Sequence, residues 1–407
     1  MILVDQTKKF KTVLITLKFK AIASKETFAL RTLLPSMLRA KTNLYRSRSE
    51  INEKLEQLYG ANLQTQTAKM GVFNVVTLQL KIVNPAIVND GMLFEDGLKF
   101  LKEVVYGHEQ FYQKDLDLEK RLLIEEIIAK ENDKTRHALS RLTDVMFENE
   151  LYGFRTSGTK EAVNEINLND FKKYYKKSFL QKDEFQVIVS GDVSQSEVEL
   201  TNTYFDQASF VYANALDYEV KEIKQVTEKV EYDTIAQSKL NIGYRNDIRY
   251  NDELHIPAVL FNAALGGYVH SRLFLNVREK HSLCYYISSI YDAYKGISII
   301  YSGVDKDRLD LAKKVIDDEV EKLSTIAISD KELNLSKQAM INDLKEAEDS
   351  QGARLNRKYN QLLLNRTKTV DEQIEMISNV RPSDLLEVGK KIRKDTIFVL
   401  DVEGKNE

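Results

Sequence analysis

Two side chains near residue 280 have the types and the spacing to act together on a carbonyl group. Arg278 and Tyr285 lie seven residues apart within residues 271–286. A guanidinium and a phenol aimed into one space can bind a carbonyl oxygen, or stabilise the oxyanion that forms on it. The same stretch also fits a helix whose basic C-terminal residues suit its dipole, followed by a buried strand. The local sequence leaves both interpretations open.

Other residue types that carry chemistry form no recognisable site. None of the histidines forms a ligand pair at i, i+4, so each is interpreted as a surface or packing residue. The single cysteine, Cys284, begins an apolar strand pattern and is expected to be a buried, inert thiol. The sequence contains no G-x-S-x-G, P-loop or Rossmann fingerprint. The histidines are His108, His137, His255, His270 and His281.

Length and composition limit the class of protein. The chain has 407 residues, which is too long for one compact core, so two or more domains are expected. The net charge is −3 and the charges are interleaved, which argues against a nucleic-acid-binding face. A single cysteine excludes an internal disulfide framework and fits a reducing compartment. No apolar run reaches the length of a signal-peptide core or a membrane span, so we expect a soluble, cytoplasmic protein.

The order of strand and helix patterns in the first half recurs in the second half. The strands predicted at 13–19 and 73–83 correspond to those predicted at 240–244 and 296–304. Each half mixes strands with helices. The sequence therefore predicts an α+β fold of two homologous domains, each a mainly antiparallel sheet backed by helices on one face.

The two predicted domains are residues 1–215 and 228–407, joined through a polar, weakly patterned segment at 205–234. Two helices matter for the argument that follows. One is predicted at 27–37, where Pro35 should kink it or delay its start, since an interior proline removes a hydrogen bond. The other is a single, very long helix predicted at 116–148.

The run RTLLPSMLRAKT at 31–42, the run VREKHSLCY at 277–285 and the duplicated halves together resemble one family of zinc peptidases, the insulinase, pitrilysin and mitochondrial-processing-peptidase family. The resemblance covers nearly the whole chain. In that family an H-x-x-E-H motif supplies two zinc-binding imidazoles and the glutamate that activates water. The alignment places Thr32 and Ser36 at the histidine positions and Pro35 at the glutamate position.

The same resemblance aligns two later glutamates with glutamates of the family's metal site. Glu126 stands where the family has its third zinc ligand, and Glu119 matches the other glutamate of that helix. Without the histidines, both are interpreted as relics or helix-surface charges. No metal is therefore expected to be bound by this chain.

The second-half pattern of the family is retained in Arg278 and Tyr285. The resemblance implies that this pair holds the scissile carbonyl of a peptide or small protein substrate. In two-chain members one subunit keeps the zinc motif and the other keeps the Arg/Tyr pair. This chain thus resembles the non-catalytic partner, in particular the bacterial YmfF-type subunits. It would form half of a chamber in a heterodimer, with zinc in the H-x-x-E-H-bearing subunit and a strand edge here for an extended peptide.

Two other functions remain open on the sequence. A fold of this kind could hold a peptide or a folded client without cleaving it, as a non-enzymatic scaffold. The chain could also be an independent hydrolase whose catalytic groups come together from both halves, although no nucleophile–base pair is visible. Copurification with an H-x-x-E-H-bearing homologue would favour the peptidase subunit, and copurification with an unrelated client would favour the scaffold.

Overall fold

The computed structural model describes residues 2–206, 215–216 and 219–403. The chain packs into two compact units, each of which takes in one segment from the other half of the sequence. The first unit comprises Met1–Ile128, Phe154–Ala215 and Ser350–Asn365, and the second comprises Ala129–Gly153, Leu216–Asp349 and Arg366–Glu407. The domain limits 1–215 and 228–407 stay a prediction.

Each unit is built on a five-stranded sheet, and the two sheets have equivalent strand orders. The strands are β1 Ile2–Gln6, β2 Thr12–Ile22, β3 Asn62–Met70, β4 Phe73–Val83, β5 Glu184–Gly191, β6 Thr227–Asp233, β7 Ser238–Arg245, β8 Cys284–Asp292, β9 Ile297–Val304 and β10 Arg393–Val402. The orders are β1-β5-β2-β4-β3 and β6-β10-β7-β9-β8. One outer pair in each sheet is parallel and the other pairs are antiparallel. The predicted α+β class and the duplication are confirmed.

Helices follow the strands in both halves. The α-helices of the described residues are α1 Phe28–Leu38, α2 Arg48–Gln57, α3 Pro85–Val88, α4 Leu93–Tyr106, α5 Gln113–Asn132, α6 Lys134–Met146, α7 Lys160–Glu165, α8 Leu168–Tyr174, α9 Leu180–Lys182, α10 Gln195–Tyr204, α11 His255–Asn262, α12 Leu309–Thr325, α13 Asp330–Ala347, α14 Gln351–Leu363, α15 Val370–Asn379 and α16 Pro382–Gly389. π-Helical turns occupy Tyr175–Phe179, Ala263–Gly267 and Leu273–Lys280. No helix in the described ranges is both long and apolar enough to cross a membrane.

The alternation of side chains along β2 explains how the first sheet is covered. Val13, Ile15 and Leu17 point to one face, where they join the main core of the first unit. Leu14, Thr16 and Lys18 point to the other face, which is partly polar but still buried. There, Lys18 lies with its ammonium 3.3 Å from Oδ1 of Asn356 in α14 and 4.6 Å from the ring centre of Tyr359. Burial lowers the pKa of Lys18 to about 8.

The second sheet also carries a helix on its other face. Phe398 and Leu400 of β10 form a small core with Ala138 and Leu142 of α6. The expectation that helices cover only one face of each sheet was therefore wrong, because each unit receives one further helix from the opposite half of the sequence. These are the helices that make the two units discontinuous.

Two other expectations need correction. The single helix predicted at 116–148 is two helices, α5 and α6. The helix is interrupted at Asp133, whose carboxylate accepts hydrogen bonds from the amides of Thr135 and Arg136 and thereby caps α6. The polar segment predicted as a joint at 205–234 contains β6, although part of that segment lies outside the described residues. The strand stop predicted at Gly404 also lies outside them.

Candidate functional site

Helix α1 carries the degenerate motif and is fixed to the sheet of the first unit by Arg31. This side chain is buried, and its guanidinium donates to Oδ2 of Asp183 at 2.6 Å and to the carbonyl oxygen of Asn74 at 2.9 Å. A buried, fully hydrogen-bonded arginine holds a helix in one position, because any shift would leave its charge without partners. The positions of Thr32 and Ser36 follow from this anchor.

Pro35 lies inside α1, and the helix runs through it from Phe28 to Leu38. Of the two expected effects of Pro35, the late start was wrong, and the kink stays a prediction. A proline at this position cannot donate to the carbonyl of Arg31, four residues earlier. The hydroxyl of Thr67 in β3 donates to that carbonyl instead, at 3.1 Å. The neighbouring strand thus replaces the hydrogen bond that the proline removes.

Three helices of the first unit enclose a cavity of about 400 Å³. From α1 come Thr32 and Ser36, which lie one helical turn apart and therefore share a face. From α5 come Glu119 and Glu126, two turns apart on that helix. The structure thus brings together the residues predicted at both histidine positions and at both glutamate positions. Pro35 is buried and does not line the cavity.

The cavity contains an arginine that sequence analysis did not assign. Arg48, in the first turn of α2, forms an ion pair with Glu119, whose side chain is only 3% exposed. Ser47 begins α2 by accepting a hydrogen bond from the amide of Glu50, at 3.2 Å, and this cap places Arg48 against α5. A guanidinium from this chain therefore supplies the positive charge that neutralises Glu119.

The hydroxyl at the first histidine position has another role. Thr32 donates to the carbonyl oxygen of Thr156 at 2.8 Å. The loop that holds Thr156 lies close to α1, since a Cβ on Gly158 would come within 2.9 Å of Cβ of Ala29. Thr32 thus ties this loop to the helix.

The residues of the cavity do not fit a zinc ion. Zinc in proteins is held by thiolate, imidazole and carboxylate ligands, whereas the motif positions here supply two hydroxyls and a proline. The ion pair of Arg48 with Glu119 also places a fixed cation where a metal would be repelled. Within residues 2–206, 215–216 and 219–403, no three His, Cys, Asp or Glu side chains form a group that could hold a metal.

Arg278 and Tyr285 lie in the second unit. Arg278 belongs to the π-helical turn Leu273–Lys280, and its guanidinium carbon lies 4.6 Å from the ring centre of Phe274. Tyr285 is 67% exposed and occupies a bulge at the start of β8, an edge strand. Among the described residues, neither a hydrogen bond nor a ring contact joins the pair. Their substrate-binding role stays a prediction.

Three of the remaining candidates for chemistry, Cys284, His108 and His255, are buried packing residues. Cys284 is buried, and burial raises the pKa of its thiol to about 11, with the charge of Arg278 opposing the shift. His108 is buried, stacks on Phe111 and has Nε2 2.8 Å from the carbonyl oxygen of Val104. Burial lowers the pKa of His255 to about 4. A thiol or imidazole in such surroundings stays neutral near pH 7.

Comparison with known proteins identifies the family. The chain is 30% identical over 401 residues to the "Probable inactive metalloprotease YmfF" of Bacillus subtilis, an alignment that covers 97% of this chain and 94% of that protein. The chain belongs to the M16 peptidase family. The domain family described as "Peptidase M16 inactive domain" matches residues 165–340. The resemblance found in the sequence is confirmed.

Two further proteins are similar to this chain. The "Uncharacterized zinc protease YmxG" of Bacillus subtilis is 27% identical over 287 residues, which cover 68% of this chain and 67% of that protein. The crystal structure of a conserved protein from Enterococcus faecalis V583 has a TM-score of 0.91 at 29% identity, and the match covers 99% of this chain and 96% of that one. The likeness to that crystal structure supports the duplicated fold along nearly the whole chain.

Proposed function

We propose that this chain is the non-catalytic subunit of a heterodimeric M16 zinc peptidase. In this assembly a homologous subunit supplies the H-x-x-E-H motif, the zinc ion and the general base. This chain forms half of the peptide-enclosing chamber and supplies Arg278 and Tyr285 to the scissile carbonyl. One observation carries the proposal: the degenerate cavity of the first unit holds the ion pair of Arg48 with Glu119, and its motif positions hold no zinc ligand of the usual kind.

The exposure of Arg278 and Tyr285 supports a role toward a bound substrate. The side chain of Arg278 is 40% exposed, and its nearest acidic partner is the adjacent Glu279, at 3.7 Å and itself exposed. An exposed ion pair of this length contributes little to stability. Arg278 has no buried ion pair to break, so its guanidinium is available to a carbonyl oxygen, and so is the exposed phenol of Tyr285.

The test uses the complex reconstituted with the H-x-x-E-H-bearing homologue from the same organism. Arg278→Ala should lower kcat/KM for peptide cleavage by about a hundredfold, because a donor aimed at a developing oxyanion contributes at about this level. The association of the two subunits, measured by sedimentation, should be unchanged. Lys280→Ala, which removes an exposed cation two residues away, is the matched control and should retain full activity.

Equal cleavage by the Arg278→Ala complex and the wild-type complex would remove the role assigned to this residue. Stable association without cleavage, in both complexes, would favour a peptide-binding scaffold over a peptidase subunit.

A further inference from the structure

The cavity of the first unit has a surplus of hydrogen-bond donors. Arg39, at the C-terminal end of α1, lines it together with Arg48, Ser36 and Asn52. Within the described residues, the guanidinium of Arg39 has no hydrogen bond or ion pair. The side chains of Ser36 and Asn52 make no hydrogen bond there either. Arg39 and Ser36 are half-buried and Asn52 is exposed, so these donors are free to bind a ligand in place of water.

The charges of the cavity favour an anion with a single negative charge. Glu119 is buried and is already neutralised by Arg48, and Glu126 is exposed to solvent. Arg39 therefore contributes a positive charge that has no ion pair within the described residues. It is half-buried beside Arg48, and burial and the charge of Arg48 lower its pKa, so an anion at this position would relieve the repulsion between two guanidinium groups. A second negative charge on the ligand would approach Glu119 without a cation to balance it.

The size and the lining of the cavity indicate where that anion comes from. A volume of about 400 Å³ lies within the range of small-ligand sites and exceeds what a free ion needs. Leu33, Ile51 and Leu123 form apolar walls that belong to the core of the first unit. A carboxylate attached to an apolar side chain or a short peptide matches both parts of this lining.

We propose that this cavity is a carboxylate-binding site, in which Arg39, with Ser36 and Asn52, holds the carboxylate of a peptide. The carboxylate comes either from a peptide C-terminus or from an acidic side chain. The position that binds a cation in zinc-bearing M16 enzymes would then bind an anion in this chain. The inference concerns the isolated chain and does not depend on the heterodimer.

The test is calorimetric titration of the purified chain with three N-acetylated tetrapeptides that contain leucine. The first has a free C-terminal carboxylate, the second is its C-terminal amide, and the third is an amide with one internal glutamate. We expect the first or the third peptide to bind at least about tenfold more tightly than the second, as a charge-assisted hydrogen bond to arginine predicts. Which of the two binds more tightly distinguishes a C-terminal carboxylate from a side-chain carboxylate.

Variants assign the effect to the cavity. Arg39→Gln should abolish the preference for the charged peptide, and Arg39→Lys should retain part of it, which separates loss of charge from loss of folding. Arg121→Gln is the control, since it removes an arginine of α5 that is 67% exposed and pairs with Glu125. Inorganic phosphate should compete no better than acetate at matched ionic strength. The proposal is overturned if the three peptides bind equally, if none binds, or if Arg39→Gln keeps the preference.

Discussion

At the scale of single residues, the cavity is neutralised by a side chain rather than by a metal ion. In a zinc site, carboxylates are stabilised by the ion that they bind. Here Glu119 is 3% exposed and is paired with Arg48, which is itself half exposed. A buried carboxylate without such a partner would be unfavourable, because desolvation opposes its charge. The arginine thus stabilises a buried glutamate in a cavity whose motif positions supply no zinc ligand of the usual kind.

We expect Arg48→Met to lower the free energy of unfolding by about 1–3 kcal/mol, since it leaves Glu119 buried without its hydrogen-bonded cation. The double variant Arg48→Met/Glu119→Gln should regain most of the loss. Urea denaturation of the four proteins of this double-mutant cycle measures the effect. If the effects of the two substitutions are additive, Arg48 and Glu119 do not stabilise each other, and the claim that Arg48 neutralises Glu119 is wrong.

At the scale of elements, α1 shows how a helix tolerates a proline at a position where the family has its catalytic glutamate. The helix keeps its length because Thr67 of the adjacent strand donates to the carbonyl that Pro35 leaves without a partner. The contact is a tertiary one. A sequence pattern that considers only the helix predicts an interruption, since the compensating residue lies in another element.

We expect Thr67→Val to destabilise the wild-type chain by about 1 kcal/mol, the usual value of one such hydrogen bond. The same substitution should cost less in a Pro35→Ala background, where the amide of the new alanine can donate to the carbonyl of Arg31. Thermal unfolding of the wild type, both single variants and the double variant tests this expectation. An equal cost of Thr67→Val in both backgrounds would show that the threonine does not compensate for the proline.

Strands with strong local patterns could be predicted from the sequence, and strands defined by their partners could not. β4 was predicted at 73–83 and is observed as Phe73–Val83, because its alternating apolar residues lie in the core. β6 was not predicted, since most of its residues are exposed and it is defined by parallel pairing with β10. The packing of α6 in the second unit and of α14 in the first unit likewise depends on contacts between distant parts of the chain.

The candidate site was also predictable only where its residues follow a local sequence pattern. Thr32 and Ser36 could be assigned from the spacing of a known motif, and the structure places both at one cavity with Glu119 and Glu126. Arg48 was missed, because its pairing with Glu119 spans 71 residues and leaves no local pattern. Arg39 lies one helical turn after Ser36 and therefore on the same face. This spacing could have indicated that Arg39 lines the same cavity.

At the scale of the whole molecule, duplication provides two units with equivalent sheets but different site residues. The first unit has a cavity that does not fit zinc, because its motif positions lack the usual ligands and Arg48 already pairs with Glu119. The second unit carries the exposed Arg278 and Tyr285. The proposed function assigns catalysis to a homologous subunit, which would supply the metal that activates water.

The proposed division of roles is best tested by the zinc content and the peptidase activity of three samples: the purified chain, its H-x-x-E-H-bearing homologue, and the two together. We expect no stoichiometric zinc and no cleavage for the chain alone, and one zinc ion and chelator-sensitive cleavage for the pair. Stoichiometric zinc or chelator-sensitive cleavage in the chain alone would contradict this proposal.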